Sequence, residues 1–320
     1  MERRGQAHLV GPLALLGAIA FWGFVPVATR YLLAYFSPAQ LLALRFGLGA
    51  VFVVLILATI RPRLPPRRRL RQTIALGMFA TLGYNVLLAF GIQRIEAGTA
   101  ALLNGTQPVL IALLAAIVLG EHLSKRMTIG TLVALVGSAL IALTAESGFR
   151  FTGSYVFGCV LVLLTSVVWA TYSVIAKPRF GPEMPPSSVA LLGVLCAAPL
   201  IVPFGVAGTS DGLGELTWPG WLAIALLAFG ANVTAPALFN IGLQRGQASN
   251  AGFMLFLVPL IGVSSSVALL DERLAPTHVI GGALIIVGVA IATFSPAWLV
   301  LLHLRRAPQR AERPSADLAE

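Results

Sequence analysis

The sequence predicts an all-α integral membrane protein with ten transmembrane helices, arranged as two inverted five-helix repeats. Two observations carry this prediction. The chain is 58% apolar and only 11% charged, whereas soluble chains carry roughly 25% charged residues. In addition, a set of short motifs occurs twice along the chain at one constant spacing. The first observation predicts the membrane class, and the second predicts the arrangement within it.

Apolar runs of roughly 20 residues, separated by short charged loops, are typical of membrane-spanning helices. The first run follows Met1-Glu-Arg-Arg4, as a signal peptide would, but no small-x-small cleavage site follows it. We therefore interpret it as a retained helix. The ten predicted spans lie near residues 9–30, 38–60, 73–92, 97–119, 127–145, 153–176, 187–206, 219–241, 247–270 and 276–295.

The duplicated motifs all recur 151 residues further along the chain. The pairs are Gly91-Ile-Gln-Arg94 with Gly242-Leu-Gln-Arg245, Pro108 with Pro259, Glu121 with Glu272, Gly130 with Gly281 and Gly137 with Gly288. Trp22 and Trp169 pair more loosely, at 147. We predict one repeat over 9–145, a second over 153–295 and a disordered cytoplasmic tail over 305–320. Because five is odd, the second repeat enters from the opposite side, which is typical of secondary transporters with a midplane substrate site.

The net charge of +10 is interpreted as a topology signal once the basic residues are assigned to loops. Alternate loops and the termini hold 17 Lys and Arg residues on one side and 4 on the other. The positive-inside bias then predicts a multi-pass inner-membrane protein with both termini in the cytoplasm. The lipid bilayer is the expected partner of this charge, and nucleic acid is not.

Polar residues and prolines inside the spans are the candidate substrate-binding residues, because such groups are costly in lipid unless packing or function requires them. Asn232, Pro236 and Asn240 recur every four residues on one helix face. Prolines free a backbone carbonyl that protein or a watery cavity must satisfy. The candidates are Trp22, Pro26, Tyr84, Asn85, Asn104, Pro108, Trp169, Tyr172, Asn232, Asn240 and Pro259.

Each candidate also has a structural interpretation. The asparagines could only bridge helices, and the prolines could only kink them. Arg45 is the one Asp, Glu, Lys or Arg residue inside a span. It could bind a substrate carboxylate or gate the outer vestibule, or it could cap carbonyls of a broken helix or pair with Glu96. Small residues in the fifth and tenth spans, such as Gly130, Gly281 and Gly288, predict close helix packing.

Other functional classes lack their signatures. No Asp or Glu lies within a span, so the carboxylate relay of proton-coupled carriers is missing. The chain has no phosphate-binding Gly-rich loop, and its four histidines show no metal-ligand spacing. No nucleophile–base–acid constellation is found. We therefore expect no enzyme, metal or cofactor, and transport by facilitated diffusion.

Several of these motifs together resemble the EamA-type members of the drug/metabolite transporter superfamily. They are Trp22, Ser37-Pro38, Ala43-Leu-Arg45-Phe46, Pro108 followed by Leu-Gly-Glu121, and the glycines 130 and 137, with the closing pattern repeated in the second half. The resemblance implies a ten-helix inner-membrane carrier that exports small metabolites such as amino acids. Its aromatic residues Trp22, Tyr84, Trp169 and Tyr172 are similar to the amino-acid-exporter branch.

The predicted function is therefore a secondary transporter that exports small metabolites, with neutral or aromatic amino acids as the expected substrates, by alternating access. The alternatives are a non-transporting membrane scaffold or sensor, and a carrier for another metabolite or drug class. Substrate identity, direction, coupling and oligomeric state are left open, and a monomer is compatible with the sequence.

Overall fold

A computed structural model describes residues 2–119, 125–142, 144–145, 148–149, 153–206, 211–245, 255 and 257–293. The predicted tail over 305–320 lies outside these residues. The α-helices in the first half are α1 Glu2–Gly23, α2 Val25–Leu32, α3 Pro38–Thr59, α4 Arg67–Met78, α5 Tyr84–Ile92, α6 Ala97–Asn104, α7 Gln107–Leu119 and α8 Lys125–Ala142. Those in the second half are α9 Gly153–Ala176, α10 Pro186–Val206, α11 Trp218–Ala225, α12 Ala235–Arg245, α13 Leu257–Leu270 and α14 Pro276–Thr293.

Short elements complete the described fold. Residues Lys177–Arg179 and Asp211–Leu213 form 3₁₀ turns. The strands β1 Thr144–Ala145 and β2 Gly148–Phe149 pair antiparallel in a ribbon just after α8. The all-α prediction did not include this ribbon, whose two-residue strands leave no detectable alternation in the sequence.

Among the described residues, six helical segments are long and apolar enough to cross a membrane: Val10–Leu32, Pro38–Thr59, Arg67–Ile92, Gly153–Arg179, Pro186–Gly205 and Trp218–Gln244. Their outward faces are apolar too. The side chains of Leu13, Val51 and Phe204 are 62%, 60% and 78% exposed. An apolar surface of this extent is unfavourable in water and matches the hydrocarbon of a bilayer. The chain is a multi-pass helical membrane protein.

Two of the apolar segments contain π-helical turns at matching places. Phe79–Gly83 joins α4 to α5, and Leu226–Thr234 joins α11 to α12. Adding the repeat offset of 151 to residues 79–83 gives 230–234, which falls inside the second π-helical stretch. Such stretches are rare and occur often at functional sites, and they share the boundary of the cavity described below.

Two other segments are interrupted next to a proline. The first apolar segment breaks at Phe24, so that Pro26 is the second residue of α2. The predicted span over 97–119 breaks at Gly105, where α6 ends and α7 begins at Gln107, one residue before Pro108. Proline is tolerated in a first helical turn because its missing N–H would have no helical acceptor there.

Small residues bring α8 and α14 into backbone contact. The sequence predicted close helix packing at these residues but did not pair the two helices with each other. A Cβ added at Gly137 would lie 2.5 Å from the carbonyl oxygen of Gly281. A Cβ added at Gly288 would lie 2.5 Å from the carbonyl oxygen of Gly130. No larger residue fits at either position unless the two helices separate, and this contact joins the two halves of the chain.

Candidate functional site

A cavity of about 740 Å³, counting the part that is open to solvent, lies between the helices from the two halves of the chain. Its lining residues are Trp22, Val25, Arg45, Gly77, Ala80, Thr81, Tyr84, Asn85, Gln107, Trp169, Tyr172, Val189, Ala190, Ala231, Asn232, Pro236, Leu255 and Val258.

Aromatic rings form one wall of the cavity around Trp169. The rings of Trp22 and Tyr172 lie 5.0 Å and 5.2 Å from the Trp169 ring, and that of Tyr84 lies 6.0 Å away. Phe239 supports the group from behind, at 5.3 Å from both Trp22 and Trp169. Trp22 and Trp169 contact each other edge to face, at an interplanar angle of 81°, a preferred geometry for aromatic pairs.

Local helix geometry explains why these rings converge. Thr165, Trp169 and Ser173 recur every four residues along α9 and are all buried, which places them on one face of the helix. Trp22 lies in the last turn of α1, where its indole N–H donates to the carbonyl oxygen of Ala231 at 3.4 Å. That bond ties the first repeat-related tryptophan to the π-helical stretch of the second half.

A buried arginine forms a second wall of the cavity. Arg45 is only 1% exposed, and its Nη2 donates to Oδ1 of Asn85 at 2.7 Å and to Oδ1 of Asn232 at 2.8 Å. These bonds link α3 to α5 and to the π-helical stretch Leu226–Thr234. Of the roles that the sequence left open for Arg45, pairing with Glu96 and capping a carbonyl do not appear among its hydrogen bonds within the described residues.

Two predicted asparagines lie behind the cavity wall and support it. Asn104 Nδ2 donates to the Tyr84 hydroxyl at 3.4 Å, and Thr165 Oγ1 donates to Asn104 Oδ1 at 3.0 Å. Asn240 Oδ1 accepts from the Tyr172 hydroxyl at 3.0 Å, while Asn240 Nδ2 donates to the carbonyl oxygen of Pro186 at 3.0 Å. Each asparagine therefore orients one lining tyrosine instead of lining the cavity itself.

The predicted prolines take different places. Pro26 is buried in α2 and is not a lining residue, although its neighbour Val25 is. Pro259 is buried in α13, with its ring beside Gly105 at the break between α6 and α7. Pro108 lies in the first turn of α7, and its side chain is outside the described residues. Pro236, which the sequence placed on the stripe with Asn232, does line the cavity.

Sequence reasoning missed two polar lining residues, Thr81 and Gln107. A signal for Thr81 was available, because Asn232 lies 151 residues beyond it (232−81) at the matching position of the second repeat. Gln107 directly precedes Pro108, and the helix break that turns it towards the cavity has no clear mark in the apolar pattern.

Glu272, in the loop between α13 and α14, joins the two halves of the chain at one end of the bundle. Its Oε1 accepts from the backbone N–H of Ala97 and its Oε2 from that of Gly98, both at 2.9 Å. Asp271, at φ 52°, adopts the left-handed conformation that Asp tolerates better than most residues. A carboxylate at a helix N-terminus is stabilised by its unpaired amides and dipole, so Glu272 holds α6 to the other half of the chain.

Charged residues lie in the first turn of α4 and in the loop before α10. Arg69 Nε donates to Glu183 Oε2 at 3.2 Å, and Arg68 also pairs with Glu183. These side chains are 45–72% exposed, so the pairs contribute little to stability. Among the described residues, no group of three or more His, Cys, Asp and Glu side chains is placed to hold a metal ion.

The apolar helices surround an interior cavity that is lined by aromatic and amide groups. This arrangement is typical of a membrane transport protein, and less so of a soluble enzyme or binding module. Comparison with known proteins gives the family. Residues 9–143 and 156–294 match the EamA-like transporter family, and the chain belongs to that family.

Curated relatives and a solved structure agree with this assignment. The chain is 29% identical to a probable amino-acid metabolite efflux pump of Escherichia coli, over 90% of this chain and 96% of that protein. It is 27% identical to the aromatic amino acid exporter YddG of Ancylobacter novellus, over 91% and 98%, and 29% identical to the uncharacterized transporter YyaM of Bacillus subtilis, over 89% and 94%. A solved crystal structure, 26% identical, matches with a TM-score of 0.64 over 94% of this chain and 99% of the other.

Proposed function

We propose that this protein is a secondary transporter that exports small metabolites, amino acids foremost, across the cytoplasmic membrane by alternating access. The observation that carries the proposal is the cavity, because both halves of the chain contribute to its wall. Trp22, Arg45 and Tyr84 come from the first half, and Trp169 and Asn232 from the second. A midplane site at the interface of two repeats is typical of secondary carriers.

Repeated helix contacts support an architecture of ten spans in two inverted repeats, over 9–145 and 153–295. A Cβ at Gly91 would lie 3.2 Å from the Gly158 carbonyl oxygen, and a Cβ at Gly242 would lie 3.1 Å from that of Gly11. Gly242 and Gly11 are the repeat partners of Gly91 and Gly158, at offsets of 151 (242−91) and 147 (158−11). One contact thus occurs twice.

The contact between α8 and α14 supports a two-fold axis. Gly137 of α8 faces Gly281 of α14. The repeat partner of Gly137 is Gly288, and that of Gly281 is Gly130. These two partners also face each other. Reciprocal contacts of this kind are what a two-fold axis requires. Five spans per repeat then set this axis in the membrane plane, which makes the repeats inverted.

The positive-inside bias favours both termini in the cytoplasm. With that orientation, Glu272 lies at the outer end of the bundle. The cavity lining includes Val189 and Ala190 at the start of α10, which is then the cytoplasmic end. We infer that the described conformation is closed to the outside by the bond between Glu272 and α6, and that export requires this end to open.

Coupling is proposed to be to the substrate's own gradient. The described lining residues include no Asp, Glu or His, so the cavity offers no group that exchanges a proton near neutral pH. Arginine does not deprotonate in proteins. Binding and release therefore need no proton to shift the conformational equilibrium.

The test is transport by the purified protein in liposomes against a panel of labelled amino acids and other metabolites. The expected result is that at least one amino acid equilibrates faster than in protein-free liposomes, without an imposed pH gradient or potential. No accelerated equilibration of any compound would contradict the proposed function. Accumulation that follows an imposed proton gradient and vanishes with an ionophore would contradict the proposed coupling alone.

A further inference from the structure

The unpaired polar atoms of the cavity wall are all hydrogen-bond donors. Arg45 Nε and Nη1, Asn232 Nδ2 and Trp169 Nε1 are buried and have no partner within the described residues. The matching acceptors are already used, because Oδ1 of Asn85 and Oδ1 of Asn232 both accept from Arg45 Nη2. Buried donors are costly to leave unpaired, so the wall lacks an acceptor that a ligand can supply.

The charge of the wall is also unbalanced. Arg45 is 1% exposed and stays cationic, yet the lining residues that the structure describes include no carboxylate. Glu183, the carboxylate that pairs with Arg68 and Arg69, is not among the lining residues. Two amide oxygens solvate the guanidinium without neutralising it, and a buried cation without a counter-ion is unfavourable.

These two facts select the charge of the ligand. An anionic oxygen would both neutralise Arg45 and accept from the free guanidinium and Asn232 donors, in the strong charge-assisted class of hydrogen bonds. An ammonium group meets the opposite conditions: no lining carboxylate attracts it, and Arg45 repels it. The faces of Trp22 and Trp169 could attract a cation, but they share their cavity with the fixed positive charge.

On these grounds we propose that Arg45, Asn85 and Asn232 form an anion subsite for the carboxylate of the substrate, beside the aromatic wall that takes its apolar body. The inference rests on the proposed function and narrows its substrate class. The transported compounds are small carboxylates with an apolar or aromatic body, of which amino acids are one subset. Among the described lining residues, their α-ammonium group has no partner of opposite charge.

The test compares three probes that share one body and differ in charge: phenylalanine, 3-phenylpropionate and phenethylamine. Binding to the detergent-purified full chain is measured at neutral pH by the quenching of tryptophan fluorescence. We expect 3-phenylpropionate to bind at least as tightly as phenylalanine, and phenethylamine to bind about tenfold or more weakly, the factor for losing a hydrogen bond to a charged group. Tighter binding of phenethylamine, or no saturable binding of 3-phenylpropionate, would overturn the subsite.

Two variants separate ligand binding from a merely structural role of Arg45. Arg45→Gln removes the charge and should abolish the preference for the carboxylate probe. Since that variant could also fail to fold, Asn232→Asp provides the second test. It places a carboxylate where Asn232 Oδ1 already contacts Arg45 at 2.8 Å, so it should keep the fold and lose 3-phenylpropionate binding by about tenfold or more. Binding of 3-phenylpropionate by Asn232→Asp as tightly as by the wild type would refute the subsite.

The binding assay and the liposome assay fail independently. Preferential binding of 3-phenylpropionate by a protein that moves no compound across the bilayer would support the subsite and contradict transport. Equilibration of amino acids without any preference for the carboxylate probe would support transport and overturn the subsite.

Discussion

The substitution Glu272→Gln tests whether this carboxylate fastens the two halves of the chain at one end. Its two oxygens each accept a backbone N–H of α6, at 2.9 Å. Gln has nearly the same size but one acceptor oxygen and no charge, so it keeps one neutral bond and turns an amide N–H group towards the other donor. Hydrogen bonds to charged groups contribute about 1.5–3 kcal/mol and neutral ones about 0.5–1.5 kcal/mol.

Because Glu272 is only half-buried, solvent screening favours the lower part of these ranges. We expect the closed end to lose about 1–2 kcal/mol, which increases the open population roughly five- to thirtyfold. Amide hydrogen exchange measures the open population directly, because the N–H groups of Ala97 and Gly98 exchange only when their bonds to Glu272 break. Exchange in the peptide that contains the start of α6 should accelerate by that factor.

The matched control is Glu215→Gln, which changes an exposed carboxylate of the loop before α11 and should leave exchange in α6 unchanged. If Glu272→Gln leaves exchange at Ala97 and Gly98 unaltered, or if the control accelerates it equally, the carboxylate does not hold this end closed.

Three further predictions address packing, topology and the aromatic wall. Gly288→Ala should destabilise the protein by about 1–3 kcal/mol through overpacking against α8 and so lower its Tm in detergent. The control Gly153→Ala should leave Tm unchanged, because a Cβ at Gly153 meets nothing within 4 Å. Equal Tm values for the two variants would contradict the packing. An impermeant thiol reagent added to intact cells should label Glu215→Cys and not Pro66→Cys, and the reverse pattern would invert the topology. Trp169→Ala should weaken the binding of an aromatic amino acid roughly tenfold, because two ring contacts are lost. Trp169→Phe should retain most of the wild-type affinity. Equal affinities of the wild type and Trp169→Ala in calorimetry would show that Trp169 is not part of the site.

The membrane class and most of the polar and aromatic residues of the cavity wall could be predicted from the sequence, because both leave periodic signals. Trp22 and Trp169 are related by the repeat, and Asn232 lies on a polar stripe with a four-residue period. A polar or aromatic residue inside an apolar span is unusual enough to be noticed one residue at a time. Their convergence follows once the two repeats are assumed to meet.

Pairwise contacts between distant residues could not be predicted in this way. The partners of Arg45 lie 40 and 187 residues away, and α6 lies about 175 residues from Glu272. Spacing along one helix constrains neighbours within a few turns, whereas such bonds depend on how whole helices dock. Asn104 and Asn240 show the same limit, since position on a span does not distinguish a residue in the wall from one directly behind it.

The π-helical stretches were also absent from the sequence prediction, which expected the fourth span to be disturbed at Pro108 and not at Gly105. A π-helical stretch or a break changes the helical register along the chain. The stretch Phe79–Gly83 directs Thr81 to the cavity, and the break at Gly105 directs Gln107 to it. An apolar segment has nearly the same composition on every face, so a register shift changes no visible pattern.

The central claim is that the substrate passes through the cavity around Trp169, and a cysteine at Thr81 tests it most directly. Thr81 lines the cavity, and Cys196→Ala removes the partly buried native thiol. We expect N-ethylmaleimide to abolish transport by Thr81→Cys in liposomes, and a transported substrate to slow the modification. The control Thr128→Cys, on an exposed face of α8, should be modified without loss of transport or protection by substrate. Full transport by modified Thr81→Cys, or modification at a rate that substrate does not change, would contradict the claim.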